Sequence, residues 1–245
     1  MQKGRRLRKI ARLDIKSEKL LKPIRAEGLR NLGLAKDFSK RYYEKGIDEI
    51  IVVDIVASLY RRDPIWSVLQ SISNHCHIPI TYCGGIRSMK HVEEAIMNGA
   101  DKVAVNTYAI ESPAIIESIS RVYGSQCAIV MIDAKKVKSG WECYVDGGRE
   151  KTGIQVLDWA KKAQDLGAGG IFLNSVDQDG VRNGLDIELV DAVTEIVSIP
   201  VVVSGGIGSL SHVDTLLKRS LVSGLACASA LHYHSITIEQ FMTRN

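Results

Sequence analysis

The tripeptide Gly84-Gly85-Ile86 follows a short apolar run, and the same three residues return as Gly205-Gly206-Ile207, 121 positions later. Two further landmarks repeat. Asp14 ends a β-branched run and has its counterpart in Asp133, 119 positions on, and a glycine-led junction before a strand also recurs with an offset of 121. Matching offsets at three places indicate two duplicated halves, because a period this long is not that of a solenoid repeat.

Short β-branched runs alternate with longer amphipathic runs along the whole chain. The predicted strands are 8–14, 48–54, 78–83, 101–106, 127–133, 169–175, 199–204 and 224–229. The predicted helices lie near 33–45, 65–75, 88–99, 112–123, 153–167, 185–197, 209–219 and 236–242. Strict alternation fits a doubly wound sheet or a closed barrel, and the count of eight with the duplication favours an α/β fold of the (β/α)8 TIM-barrel type. No Pro/Gly/Ser-rich linker separates the halves, so we predict one domain over residues 1–245.

The composition excludes several classes of protein. The 245 residues are 45% hydrophobic and 24% charged, which is ordinary globular usage. No stretch approaches the roughly 20 apolar residues of a membrane span, and the basic N-terminus leads into no signal-peptide core. The five cysteines are odd in number and lack a Cys-x-x-Cys pair, which argues for reduced thiols rather than disulfides or zinc. We therefore expect a cytoplasmic protein with no metal and no cofactor, and no binding to nucleic acid or membrane.

Each Gly-Gly pair ends a predicted strand and opens a helix, so that backbone N–H groups at a helix N-terminus face outward and suit a phosphate. The next strand ends beside a hydroxyl residue in both halves, at Asn106-Thr107 and at Ala228-Ser229. A single Gly-Gly pair could equally serve a tight turn, but two copies in register favour two phosphate sites. Such sites on opposite sides of a barrel mouth predict an elongated ligand with a phosphate at each end.

The middle of that ligand would lie over the barrel axis, where the repeat places Asp14 and Asp133. Two carboxyl groups that flank one reacting centre suit general acid/base chemistry, although either aspartate could instead cap its own loop. The segment 15–32 is long for a connection between strand and helix, and it carries three lysines. It is either a mobile lid that holds an anionic ligand or a plain solvated loop.

Several motifs resemble the cyclase subunit family of imidazole glycerol phosphate synthase over about residues 5–235. They are LDIK (13–16), GIDEIIVVDI (46–55), CGGIRS (83–88), GADKVAVNT (99–107), VMIDAK (130–135), SVDQDG (175–180) and SGGIGS (204–209). The resemblance implies a lyase of histidine biosynthesis that uses ammonia from a partner glutaminase. Its substrate would be a bis-phosphate formimino ribulosyl nucleotide (PRFAR), and its products imidazole glycerol phosphate and an aminoimidazole carboxamide ribotide (AICAR).

The resemblance also implies roles for individual residues, with Asp14 and Asp133 as the catalytic pair. A HisH-type glutamine amidotransferase subunit would dock at the N-terminal barrel face, where Arg8, Glu49 and Lys102 match three of four charged residues around an ammonia entrance. The implied substrate-binding residues are Lys22, Gly85, Asn106, Thr107, Asn174, Asp179, Gly180, Ser204, Gly205, Gly206, Ala228 and Ser229.

The chain departs from the family pattern at informative positions. Gly170 stands where the fourth gate residue is acidic, and Arg12 stands where the family has a small uncharged residue. Because Arg12 lies two residues before Asp14, it shares that face of the strand and should point into the barrel, where it would lower the pKa of Asp14 and narrow the ammonia route. Asn174 and Val181 resemble a paralogous group associated with bacterial surface-polysaccharide biosynthesis. The alternative is therefore a non-catalytic, ammonia-channelling partner of a sugar amidotransferase.

Overall fold

The computed structural model describes residues 7–218 and 222–244. Within these residues the strands are β1 (Arg8–Lys16), β2 (Lys19–Ile24), β3 (Glu27–Leu34), β4 (Glu49–Asp54), β5 (Ile80–Cys83), β6 (Lys102–Val105), β7 (Ala128–Val137), β8 (Gly140–Val145), β9 (Glu150–Gln155), β10 (Gly170–Ser175), β11 (Val201–Ser204) and β12 (Gly224–Cys227). The helices are α1 (Ala35–Glu44), α2 (Trp66–Ser73), α3 (Met89–Met97), α4 (Thr107–Glu111), α5 (Ala114–Tyr123), α6 (Val156–Asp165), α7 (Ile187–Ile196), α8 (Leu210–Leu217), α9 (Ser229–His232) and α10 (Ile238–Met242).

Parallel strands close into a barrel in the order β1, β4, β5, β6, β7, β10, β11 and β12. The last two contacts complete the ring, because β10 pairs with β7 on one side and β12 pairs with β1 on the other. Each strand of the ring corresponds to one predicted strand, and a helix follows each of them. The predicted (β/α)8 barrel is confirmed.

Two antiparallel hairpins are added at the carboxyl ends of the barrel strands, and the sequence analysis did not predict either. The segment 15–32, expected to be a mobile lid or a solvated loop, instead forms β2 and most of β3, which pair with each other, and β2 also pairs with the end of β1. The second hairpin, β8 and β9, continues from β7. The predicted helix 153–167 consequently begins only at Val156, because residues 150–155 pair in β9.

The alternation of side chains along the barrel strands sorts the interior into layers. Ile10, Ile51, Ala104, Met131 and Phe172 belong to an apolar cluster inside the ring. Two residues further along the same strands, polar groups such as Arg12 and Asp133 take over, so the interior changes from apolar to charged toward the carboxyl ends. A second, larger cluster packs the outer face of the strands against the helices. None of the helices in the described ranges is long and apolar enough to cross a bilayer.

Candidate active site

A cavity opens at the carboxyl ends of the barrel strands, which is the face where barrel proteins carry their ligand sites. Its walls include six predicted site residues from the ends of four strands: Gly85, Asn106, Thr107, Asp133, Asn174 and Asp179. Arg12 also reaches this cavity, together with three arginines that the sequence analysis did not single out: Arg61, Arg87 and Arg149. The same walls carry four carboxyl groups, Asp54, Glu111, Asp133 and Asp179, so the cavity offers charged groups of both signs to a polar ligand.

Asp133 lies on the part of β7 that belongs to the barrel, and two side-chain amides donate hydrogen bonds to its carboxyl group. Asn174 Nδ2 donates to Asp133 Oδ1 at 2.7 Å, and Asn106 Nδ2 donates to Asp133 Oδ2 at 3.0 Å. Burial raises the pKa of Asp133 to about 6, because the hydrogen bond from the Asn174 side-chain amide and the charge of Arg12 only partly offset the loss of solvation. Asp133 can therefore gain and lose a proton near neutral pH.

Asp14 has the opposite surroundings, because two cations occupy its two oxygens. Arg12 Nε donates to Asp14 Oδ1 at 2.7 Å, and Lys22 Nζ donates to Asp14 Oδ2 at 2.7 Å. Burial alone would raise the pKa of Asp14, but the charges of Arg12 and Lys22 outweigh burial and lower it to about 2. Asp14 is thus a permanent carboxylate, as the sequence position of Arg12 predicted.

Asp179 completes a closed set of four charges with Asp14. Its carboxylate contacts Lys22 Nζ at 2.8 Å and Arg12 Nη2 at 3.2 Å, so each cation touches both anions. All four side chains are buried or nearly so. Two positive and two negative charges balance within this quartet, and Asp133 stands outside it. The two aspartates that the repeat makes equivalent are therefore chemically different in this chain.

The raised pKa of Asp133 predicts a pH effect on stability. Folding favours the protonated carboxyl, so the folded chain binds more protons than the unfolded chain between the ordinary pKa of 3.8 and about 6. Stability at this site is therefore greatest below pH 3.8 and falls as the pH rises through about 6, by about 3 kcal/mol in all. Urea unfolding of the wild type and Asp133→Asn across this range measures it. As the pH rises, the urea midpoint of the wild type should fall relative to that of the variant. Midpoints that change in parallel with pH would contradict the raised pKa of Asp133.

The first predicted phosphate loop lies on the cavity. Gly84 and Gly85 have φ of 131° and 69°, values that favour glycine, and a Cβ atom at Gly84 would lie 2.6 Å from Asp54 Cβ. Asn106 precedes α4, and the hydroxyl of Thr107 accepts from the backbone N–H of Asp146 at 3.1 Å. The loop and the N-terminus of α4 therefore face the same space as Asp133.

The second predicted phosphate loop, at Gly205 and Gly206, does not line that cavity. Gly205 and Gly206 are buried, and the carbonyl of Gly206 accepts from the backbone N–H of Gly184 at 2.8 Å. The segment after β10, which includes Gly180, thus lies over this loop. Ser229 begins α9 after Ala228, and its buried hydroxyl has no hydrogen-bond partner among the described residues. A phosphate at this loop remains a prediction, and it would require the covering segment to move.

The three predicted gate residues meet at the opposite, N-terminal end of the barrel. Arg8 Nη1 lies 2.6 Å from Glu49 Oε1, and Lys102 Nζ lies 3.3 Å from both oxygens of Glu49. They line a second cavity that also includes Gly170 and Phe172. Gly170 adds no charge, so Glu49 is shared by two cations without a second anion at that position.

Titratable carboxyls and phosphate-type loops at the carboxyl ends of a closed parallel barrel define a barrel protein with a polar ligand site at this face. A family model described as histidine biosynthesis protein matches residues 9–237. The chain belongs to this family.

Several curated relatives are named imidazole glycerol phosphate synthase subunit HisF. The one from Legionella pneumophila is 47% identical over 207 residues, which is 84% of this chain and 98% of the relative. The relative from Prochlorococcus marinus is 40% identical over 97% of this chain and 94% of its own length. The one from Streptococcus gordonii is 38% identical over 93% of this chain and 91% of its own length. The resemblance found in the motifs is confirmed.

Proposed function

We propose that this chain is the cyclase/lyase subunit of imidazole glycerol phosphate synthase, which converts PRFAR and ammonia to imidazole glycerol phosphate and AICAR in histidine biosynthesis. The observation that carries the proposal is the position of Asp133, a carboxyl that exchanges its proton near neutral pH on the wall of a cavity beside a phosphate-type loop. The names of the relatives support the same reaction and favour it over the ammonia-channelling alternative.

The chemistry of this reaction requires proton transfers that Asp133 is placed to make. Attack of ammonia on a carbonyl carbon expels water, and closure of the imidazole ring expels an amine. Each attacking nitrogen loses a proton and each leaving group gains one, so one carboxyl with a pKa near the working pH can serve both directions. Asn174 and Asn106 orient Asp133 through hydrogen bonds to its two oxygens.

Asp14 supports the same reaction as a fixed negative charge and not as a proton donor. Its ion pairs with Arg12 and Lys22 leave neither oxygen free in this arrangement. Ligand binding that drew Lys22 toward a phosphate would release Asp14 Oδ2 toward the cavity. The charge of Asp14 then stabilises positive charge that develops on nitrogen in the middle of the substrate.

The relatives are named as subunits, which implies a partner, and we propose a HisH-type glutamine amidotransferase at the N-terminal barrel face. The cavity around Arg8, Glu49 and Lys102 supports this position, because it opens the interior of the barrel at that face. We also propose a cytoplasmic location, supported by five free, buried cysteines and by the biosynthetic role.

The proposed function is tested with the purified chain, PRFAR and ammonium salt, in the absence of any glutaminase. We expect loss of PRFAR with formation of equal amounts of imidazole glycerol phosphate and AICAR. PRFAR that stays intact at saturating ammonium would overturn the proposal and favour the ammonia-channelling alternative. The two products are separated by chromatography, so that non-enzymatic decay of PRFAR is not counted as turnover.

A further inference from the structure

Arg12 lies across the width of the barrel. It extends from β1 and donates from Nη1 to Asn174 Oδ1 at 2.7 Å and to Ser204 Oγ at 3.2 Å. These acceptors belong to β10 and β11, and β10 is three strands away from β1 around the ring. The Arg12 guanidinium therefore bridges strands on different sides of the interior.

Arg12 links the walls of the two cavities of the barrel through its contact with Phe172. The cavity at the carboxyl ends has Arg12 in its wall, and the N-terminal cavity has Phe172 in its wall. Arg12 Cζ lies over the Phe172 ring, 5.8 Å from its centroid, so a residue in the wall of one cavity contacts a residue in the wall of the other. Arg12 and Phe172 therefore lie between the N-terminal cavity and the cavity that contains Asp133, together with the apolar layer of the barrel interior.

The separation is held by strong contacts. Arg12 is buried, and the positive charge of its guanidinium is paired with Asp14 at 2.7 Å and with Asp179 at 3.2 Å. Moving the side chain aside would break two charge-assisted contacts and the hydrogen bonds to Asn174 and Ser204, all of them between buried groups. The closed position is thus the stable one when no ligand occupies the cavity.

We propose that Arg12 is an internal gate that blocks passage of ammonia from the N-terminal cavity to Asp133 until the side chain leaves the axis. The inference rests on the proposed function, which supplies the molecule that would pass. Ammonium salt in solution can reach the same centre through the open carboxyl-end cavity, so the gate acts only on ammonia that arrives through the barrel. Asn174 belongs to the gate, because its amide oxygen holds Arg12 while its amide nitrogen holds Asp133.

The test compares two ammonia supplies with the chain bound to the glutaminase subunit from the same organism. One assay supplies glutamine and the other saturating ammonium salt, and the readout is the ratio of glutamine-driven to ammonium-driven turnover. In Arg12→Ala the axis is open, and we expect this ratio to rise by about tenfold, which corresponds to about 1.4 kcal/mol in barrier height. Dividing by ammonium-driven turnover removes any general effect of the substitution on the chemistry.

Two control variants separate a gate from a general effect. Arg12→Lys keeps a cation on a long side chain and should leave the ratio near that of the wild type. Arg149→Ala removes another arginine of the same cavity, which donates to the carbonyl of Ala26 at the turn between β2 and β3, and it should not change the ratio. A ratio that stays unchanged in Arg12→Ala, or that rises equally in Arg149→Ala, would overturn the gate.

A second measurement needs neither partner nor turnover. Crystals of the wild type and Arg12→Ala are pressurised with krypton, a neutral atom that fits apolar space. We expect no krypton on the axis between Phe172 and Asp133 in the wild type, and krypton at that position in the variant. Krypton at this axial position in the wild type would overturn the gate, whatever the outcome of the turnover assays. Absence of ammonium-driven turnover would instead refute the proposed function and leave this structural result decisive for the gate.

Discussion

Asp133→Asn is expected to lower ammonium-driven turnover of PRFAR by about 10²–10⁴-fold, the usual contribution of a general acid/base group. The amide keeps the shape of the side chain, but it neither gains nor loses a proton near pH 6. Asp14 cannot replace Asp133, because Arg12 and Lys22 keep its pKa near 2. Steady-state turnover at saturating PRFAR measures the effect, and the fall should appear in kcat rather than in KM.

Asp54→Asn is the matched control for this substitution. Asp54 also ends a barrel strand and lines the same cavity, but its carboxylate pairs with Arg62 at 2.5 Å and accepts from the backbone N–H groups of Val56 and Ala57. Its bonds are those of a structural carboxylate, and we expect its loss to reduce kcat much less than the loss of Asp133. If Asp133→Asn retained more than a tenth of wild-type kcat, Asp133 would not be the proton carrier.

The order of the barrel elements could be predicted because the sequence signals are local and repeated. β-Branched runs such as 48–54 lie wholly inside one strand, and the duplication gives each strand a counterpart. The hairpins were missed for a physical reason. The apolar residues of β2 (KLLKPI) and β3 (EGLRNLGL) do not alternate strictly with polar ones, and β3 is exposed along most of its length, so no period-two pattern marks either strand.

Only those parts of the site could be predicted that follow from the alternation of side chains along a strand. The two-residue spacing of Arg12 and Asp14 places both side chains inside the barrel, and the structure shows them 2.7 Å apart. No sequence rule predicts that Lys22, from a hairpin that was not predicted, contacts both Asp14 and Asp179. Asp179 lies 157 positions after Lys22 in the chain. The different proton affinities of Asp14 and Asp133 follow from these distant contacts, so the sequence repeat alone suggests a symmetry that the site does not have.

Asp14→Asn is expected to lower the free energy of unfolding by about 3–5 kcal/mol, the usual cost of removing one partner from a buried ion pair. The variant leaves Arg12 and Lys22 with Asp179 as their remaining anion in the quartet, so one buried positive charge is uncompensated. Urea unfolding followed by circular dichroism at neutral pH measures the loss. The fall should be larger than in Asp54→Asn, because the partner Arg62 is more exposed to solvent than Arg12 is.

The double variant Arg12→Met/Asp14→Asn tests whether charge balance is the cause. Removing Arg12 as well leaves one cation, Lys22, and one anion, Asp179, which contact each other at 2.8 Å. Met fills much of the space of the arginine stem without charge, so the loss of stability in the double variant should be smaller than the summed losses of Arg12→Met and Asp14→Asn by about 0.5–3 kcal/mol, a typical coupling energy for residues in contact. If the losses from the two single substitutions simply added, Asp14 would stabilise the barrel through its own packing and not by neutralising Arg12.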